Sequence, residues 1–375
     1  LIRDGLIEAA GENISAPAGA WVIDAQGLHV YPGLIDALST WGMPEASPPS
    51  SSGPPAGPPQ RSSNTPAARG PEARPLNTSW IRAADQLQAS DKRIEAARNA
   101  GFTTAVVFPT RGIFAGQGAV INLAGERPGR MVIHPAAGLY LTLMSSSSGG
   151  GFPSSLMGTI AYIRQVFLDA ARQRQALELY GKGPQGLKRP DYDRAVDGVH
   201  EARRILLPAT TSVEIDRMLR FGKELGVSFL LYGCQQAYEA AELMKGFGAG
   251  VLVNLKWPEK SRDADPAAEE TLDTLELREK APSSPAALEK AGVPFALYSG
   301  GIAEPREILQ AVRKAVDCGL SRDAAVRAMT LSAAELYGVA DRLGSIEIGK
   351  IANLVVTSGE LFQEKTQVKY VFVDG

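Results

Sequence analysis

The chain has 375 residues, of which 44% are apolar, and a formal net charge of −2. That is enough to bury a sizeable core, in one large α/β domain with a small accessory one. The balanced charge speaks against a nucleic-acid or membrane-surface partner, and no apolar run reaches the roughly 18 residues that a membrane span needs. The two cysteines, Cys234 and Cys318, are distant and form no C-x-x-C pair. They therefore predict core positions and neither a disulfide framework nor a cysteine-zinc site. The sequence opens at Leu1 and closes on Val373-Asp374-Gly375 as a strand finishes. It reads as a piece of a longer or processed polypeptide, so export and compartment stay open.

In chain order, Trp21–Asp24, Gly27 and Leu28–Tyr31 predict strand, turn and strand, and Leu34–Asp36 a short buried strand. Eight of the 23 residues from 44 to 66 are proline, six are serine and two are glycine. Such a stretch buries too little apolar area to offset its ordering entropy, and predicts an exposed, poorly ordered loop. Ser145–Gly151 predicts a second flexible stretch. Helical spacing at Ile81, Ala84 and Leu87, then Ile94 and Ala97, leads to a strand over Phe102–Phe108. Gly112–Gly118 predicts a hairpin or a close backbone approach. Ala119–Leu123, Met131–Ile133 and Gly138–Leu141 are further strand candidates.

The alternation is clearest from 204 to 299. After the run Ile205–Leu207, Thr211 and Glu214 form a capping-box pattern ahead of a helical face at Ile215, Met218, Leu219 and Leu225. Strands follow at Val227–Tyr232, Val251–Leu255 and Pro294–Tyr298. Helical stripes lie between and after them at Ala237–Met244, Ala286–Ala291 and Ile308–Val316. Repeated βα units imply a parallel sheet covered by helices. The nine strand candidates approach the eight of a closed barrel plus one extra hairpin. Ala352–Val356 and Val368–Val373 are strands again, which predicts that the two ends of the chain pair in one small β-domain.

Two long motifs carry a family resemblance. Val22–Thr40, "VIDAQGLHVYPGLIDALST", resembles the opening of the amidohydrolase superfamily, where a Pro-Gly-hydrophobic-hydrophobic-Asp run leads into His-X-His. Ala328–Val356, "AMTLSAAELYGVADRLGSIEIGKIANLVV", resembles its closing helix and Gly-Ser-Ile-x-x-Gly-Lys-x-Ala-(Asp/Asn) turn. The resemblance, strongest at these two ends, implies an α/β fold: a distorted TIM (β/α)8 barrel over 34–344, with a Pro/Ser-rich loop at about 44–79. It also implies a small β-sandwich from 1–33 and 345–375. Members such as dihydroorotase, adenine deaminase and imidazolonepropionase hydrolyse non-peptide C–N bonds. They use zinc or another divalent metal to activate water.

The family's metal ligands are a His-X-His after strand one, histidines at strands five and six, and an aspartate at strand eight. The matching positions hold Leu38 and Thr40, Pro208 and Gly233, and Gly300. The three histidines, His29, His134 and His200, form no close-spaced pair and read as structural or surface residues. No metal or other cofactor is expected on this chain, and no catalytic residue is assigned. No G-x-S-x-G elbow or P-loop occurs, and the acidic run Asp263–Glu270 reads as a solvated loop and helix start. Around the expected barrel mouth, Asp36, Thr40, Tyr232, Gln235, Lys256, Trp257 and Ser299 are candidate ligand-binding residues. Lys256, Trp257 and Tyr232 together suit an anionic or aromatic ligand, or else plug a vestigial pocket.

Three readings follow. The first is a non-catalytic scaffold or partner of an active amidohydrolase. That partner is a separate homologue or a second domain of the same polypeptide, as in the tandem bacterial proteins that residues 344–375 resemble. The second is an active hydrolase of a small cyclic amide or amidine with an atypical or metal-free site, using Lys256 and Asp36. The third is a small-molecule binding module. The family resemblance also implies an oligomer.

Overall fold

The computed structural model describes residues 1–44, 71–144, 151–183, 186–260, 263, 265 and 269–375. Most of the Pro/Ser-rich segment, the Ser/Gly run at 145–150 and part of the acidic run lie outside the described residues. The first strands are β1 (Ile2–Arg3) and β2 (Leu6–Ile7), which form a short antiparallel hairpin. Strand β3 (His29–Pro32) follows, and β4 (Leu34–Ser39) then enters the body. The expected strand at Trp21–Asp24 does not form: Trp21 is 85% exposed and Val22 68%. Its alternation suits a sheet, but no neighbour supplies the ladder, and an isolated strand is not stable in water.

Helices α1 (Ala83–Gln86) and α2 (Lys92–Asn99) cross over to β5 (Phe102–Val107). Strand β6 (Phe114–Asn122) returns antiparallel, making the hairpin that the glycine-rich run predicts. The close approach is present too, since a Cβ at Gly118 would lie 2.2 Å from the Phe108 ring. After α3 (Pro128–Met131), β7 (Val132–Leu141) pairs antiparallel with β6. Two of the nine strand candidates, Met131–Ile133 and Gly138–Leu141, are thus one strand, leaving eight in the body. Pro135 lies where the β6–β7 register shifts between Gly118↔Gly138 and Val120↔His134. A strand tolerates proline at such an irregularity because no ladder amide is lost there.

The longest helix, α4 (Leu156–Gly181), has 26 residues and is not among the expected helices. Its buried residues, Thr159, Tyr162, Ile163, Val166 and Ala170, keep helical spacing, but beyond Ala170 no buried stripe continues. Next come α5 (Arg194–His200), β8 (Ile205–Ala209), α6 (Ser212–Leu225), β9 (Phe229–Gly233), α7 (Ala237–Phe247) and β10 (Gly250–Asn254). Then follow α8 (Leu272–Lys280), α9 (Ser284–Ala291), β11 (Phe295–Tyr298), α10 (Pro305–Asp317), α11 (Arg322–Ala328) and α12 (Leu331–Tyr337). The capping box of α6 is present: the Glu214 amide donates to Thr211 Oγ1 at 3.3 Å, and the Thr211 amide to Glu214 Oε2 at 3.1 Å.

Strands β4 to β11 form one eight-stranded sheet in sequence order, parallel except at β6. Its end strands, β4 and β11, approach each other and nearly close a distorted TIM barrel. One side-chain bond bridges this seam, from the Ser299 amide to Asp36 Oδ1 at 2.9 Å. Alternate strand residues face two cores. Ile35, Val106, Leu206, Leu230, Leu252 and Ala296 fill the barrel interior with Tyr337 from α12. Leu34, Val107, Leu207, Leu231, Val253 and Leu297 meet the surrounding helices. Each such buried aliphatic contributes roughly 1.5–3 kcal/mol, so a slip of one residue anywhere exchanges both cores.

The last strands, β12 (Leu354–Thr357) and β13 (Val368–Phe372), complete a three-stranded sheet with β3 in the order β13-β12-β3. Asn353, just before β12, ties this sheet to the barrel. Its Nδ2 donates to Asn122 Oδ1 at 2.7 Å and Thr104 Oγ1 at 3.1 Å. Its Oδ1 accepts from the Asp374 amide at 2.9 Å, and its carbonyl from the Gly33 amide at 2.7 Å.

Candidate functional site

In a TIM-type barrel, loops at the C-terminal ends of the strands gather the reacting groups. Here the interior at that end is aromatic. The Tyr140 and Tyr232 rings lie 4.9 Å apart, Phe108 and Tyr140 5.4 Å, and Phe108 and Tyr337 6.4 Å. Tyr298 joins the same cluster, and Leu38 packs against it. Tyr232 Oη donates to the Leu141 carbonyl at 3.0 Å, which satisfies its polar end. Burial pushes the phenols of Tyr140, Tyr232 and Tyr298 above the ordinary tyrosine range, so all three stay protonated at neutral pH.

The positions matched to metal ligands are arranged as follows. Leu38 packs against the inner core of the barrel, whereas Thr40 is exposed, its Oγ1 accepting from Arg93 Nη1 at 3.4 Å. Pro208 is half-buried on β8. Gly233 has φ +105°, and a Cβ there would lie 2.8 Å from the Ala209 carbonyl oxygen. Gly300 has φ +61°, and a Cβ there would lie 1.7 Å from Asn254 Oδ1. Neither glycine position has room for a side chain, and both backbones are left-handed. The Asn254 carboxamide fills the space beside Gly300, held by the Lys256 amide at 2.8 Å.

The other candidate residues divide between several places. Asp36 is fully buried at the seam. Burial raises its carboxyl pKa to about 6, and the bond from the Ser299 amide offsets part of that rise. Its second oxygen, Oδ2, is buried without a partner. Ser299, at 5% exposure, serves the seam through its backbone. Gln235 Nε2 donates to the Lys256 carbonyl at 2.6 Å, linking the ends of β9 and β10. Trp257 is buried in the outer core, where its indole donates to the Ala311 carbonyl on α10 at 2.9 Å. Lys256 is exposed beside a groove that Glu259, Lys260 and Glu307 also line. Trp257 lines that groove with Lys256, whereas Tyr232 lies on the other side of the barrel wall, so the three do not form one ligand wall.

His29 stacks on Tyr31 at 6.3 Å in the terminal sheet, and His200 Nδ1 lies 3.0 Å from Arg174 Nη2. His134 is half-buried near the start of β7. Among the described residues no three His, Cys, Asp or Glu side chains group as a metal site. The undescribed residues contain no histidine or cysteine and one carboxylate, Glu45. Sequence reasoning missed Asn254, Phe108 and Tyr140. The inward alternation of β5, β7 and β10 was the available signal for all three.

A nearly closed α/β barrel with small terminal sheets places the chain among the TIM-barrel hydrolase folds. It belongs to the amidohydrolase family, whose model matches residues 68–375. An amidohydrolase from Thermotoga maritima MSB8 superimposes with a TM-score of 0.80 at 24% identity, over 100% of this chain and 93% of that one. A prolidase complexed with N-methylphosphonate-L-proline gives a TM-score of 0.56 at 18% identity, over 100% and 92% of the two chains. At these identities the likeness establishes the fold alone. A dihydroorotase of Geobacter sulfurreducens is 56% identical over 36 residues, which span 10% of this chain and 8% of that protein.

Proposed function

We propose that this chain is a non-catalytic amidohydrolase domain, a scaffold or partner for an active amidohydrolase. The partner is a separate homologue or a second domain of the same polypeptide. The observation that carries this reading is the filling of the barrel's inner face where the family's ligands belong. Leu38, half-buried, packs against the barrel's inner core, and Asn254 occupies the space that a side chain at Gly300 would need. A divalent ion in a family-type site requires several converging nitrogen and oxygen donors. Leu38, Thr40, Pro208, Gly233 and Gly300 offer one side-chain hydroxyl between them, and Arg93 engages it. This set does not fit a zinc ion, and no hydrolytic step runs through one here.

Elemental analysis tests the proposal, on the purified chain alone and on any amidohydrolase that co-purifies with it. The expected result is far less than one divalent ion per isolated chain, with metal and C–N hydrolysis both residing in the partner. One or two tightly held zinc ions on the isolated chain would overturn it. So would turnover of a cyclic amide by the isolated chain after chelation.

A further inference from the structure

We infer that the floor of the barrel, the end opposite the mouth, carries a binding site for a phosphate-bearing anion. Its residues are Arg203 and Arg204 ahead of β8, Arg342 after α12, and His134 near the start of β7. This inference is independent of whether the mouth is catalytic.

Strand register assembles the group. Leu139 pairs with Ile205, which sets Arg204 beside Gly138. A Cβ at Gly138 would lie 2.7 Å from Arg204 Cγ, so the bare backbone there makes room for the arginine stem. The Arg204 guanidinium lies 6.0 Å from the centre of the Tyr337 ring. Arg342 Nη1 donates to the Ile133 carbonyl at 2.6 Å, which brings this side chain next to His134. Tyr337 is itself fixed by its hydroxyl, which donates to the Ala37 carbonyl at 2.7 Å.

Among the described residues the arginines of this floor meet a ring and a carbonyl but no carboxylate. Elsewhere Arg74, Arg82, Arg164 and Arg327 each meet a carboxylate. Among the described residues no carboxylate lies within 4.0 Å of Arg203, Arg204 or Arg342. Arg204 is nevertheless half-buried, and burial depresses its pKa. A half-buried cation without a counter-charge costs free energy. The His134 pKa is also lowered, by burial first and then by these three arginines. A backbone hydrogen bond at Ala136 opposes that lowering, and the three charged groups that act on His134 are all arginines, a setting that an anion would relieve. Guanidinium forks match a pair of phosphate oxygens, whereas a halide is a single spherical acceptor that cannot be bound bidentately.

The test is a titration of the full chain with inorganic phosphate at constant ionic strength, followed by the ring resonances of His134. His29 and His200 serve as internal references. A saturable shift confined to His134, with its pKa rising as phosphate binds, is the expected result. In Arg204→Gln and Arg342→Gln the affinity should fall by about ten-fold or more, the loss of one charge-assisted hydrogen bond. Arg342 is exposed, so its variant keeps the test valid if the Arg204 variant folds poorly. A phosphate monoester that binds more tightly than phosphate identifies an esterified ligand, and equal affinity identifies the free ion. A shift that never saturates, that chloride or acetate reproduces, or that persists in both variants overturns the site.

Discussion

At the mouth of the barrel, Phe108, Tyr140, Tyr232 and Tyr298 close the interior with rings. At the floor, Asn353 binds Thr104, Asn122 and Asp374, and among the described residues the floor's arginines pair with no carboxylate. The mouth is held by area: rings remove water, and each phenol needs one acceptor. The floor is held by addressed bonds between segments 231 and 249 residues apart in sequence. A dense polar node tolerates little change, whereas an apolar filling accepts substitutions of similar volume. Chemistry can therefore be lost from the loop end of such a barrel while its other end keeps the fold.

The largest test of that contrast is Asn353→Ala. It strands the buried Asn122 and Thr104 oxygens and the Asp374 amide, at about 1–3 kcal/mol for each unmet group. Urea denaturation should show a loss of about 3–5 kcal/mol or failure to fold, and a loss below about 1 kcal/mol would mean that the floor is not the clasp.

Asp36 stands between the two ends. Its folded carboxyl titrates at about 6, above the ordinary 3.8. The folded state therefore holds this proton more tightly than the unfolded chain does. Asp36 contributes most below about pH 4, and that contribution falls as pH rises through about 6, by roughly 3 kcal/mol in total. Asp36→Asn keeps an oxygen for the Ser299 amide and removes the titration. Its stability measured by denaturant between pH 4 and 7 should lack this falling component, and a variant curve parallel to the parent would exclude Asp36 as its source. The smallest effect is expected at Tyr232→Phe, which keeps the ring and loses one bond to Leu141. A cost of about 1 kcal/mol in thermal unfolding fits a mouth held by packing. A loss several times larger would show that the mouth depends on its hydroxyls.

The elements legible in the sequence were those with a single dominant face. The capping box at Thr211 and Glu214 and the stripe at Ile215, Met218 and Leu219 mark α6 directly. Helix α4 is legible only in part: Thr159, Tyr162, Ile163, Val166 and Ala170 keep helical spacing, but nothing beyond Ala170 is buried. Strand β7 looked like two strands because Pro135 interrupts its ladder pattern, and Trp21–Asp24 looked like one because alternation does not say whether a partner exists. The family motifs located Leu38, Thr40 and Gly300, but not what would stand beside them. Asn254 meets Gly300 only through the pairing of β10 with β11. Lys256 and Trp257 line one groove against α10 on the outer side of the wall, away from Tyr232, which the order of residues along β9 and β10 does not reveal.

The sheet that joins the two ends of the chain sets a clock on biosynthesis. The Tyr31 hydroxyl on β3 accepts from the Leu361 amide, 330 residues later. A ribosome adding about 5–20 residues per second needs roughly 15–65 s to cover that distance. For most of that interval β3 has no β12 to pair with, and Asp36 waits 263 residues for the Ser299 amide, so an open edge waits on the nascent chain. Quality control in the cell meets this protein first as an unfinished barrel, and whatever shields that edge helps to decide how much of it survives.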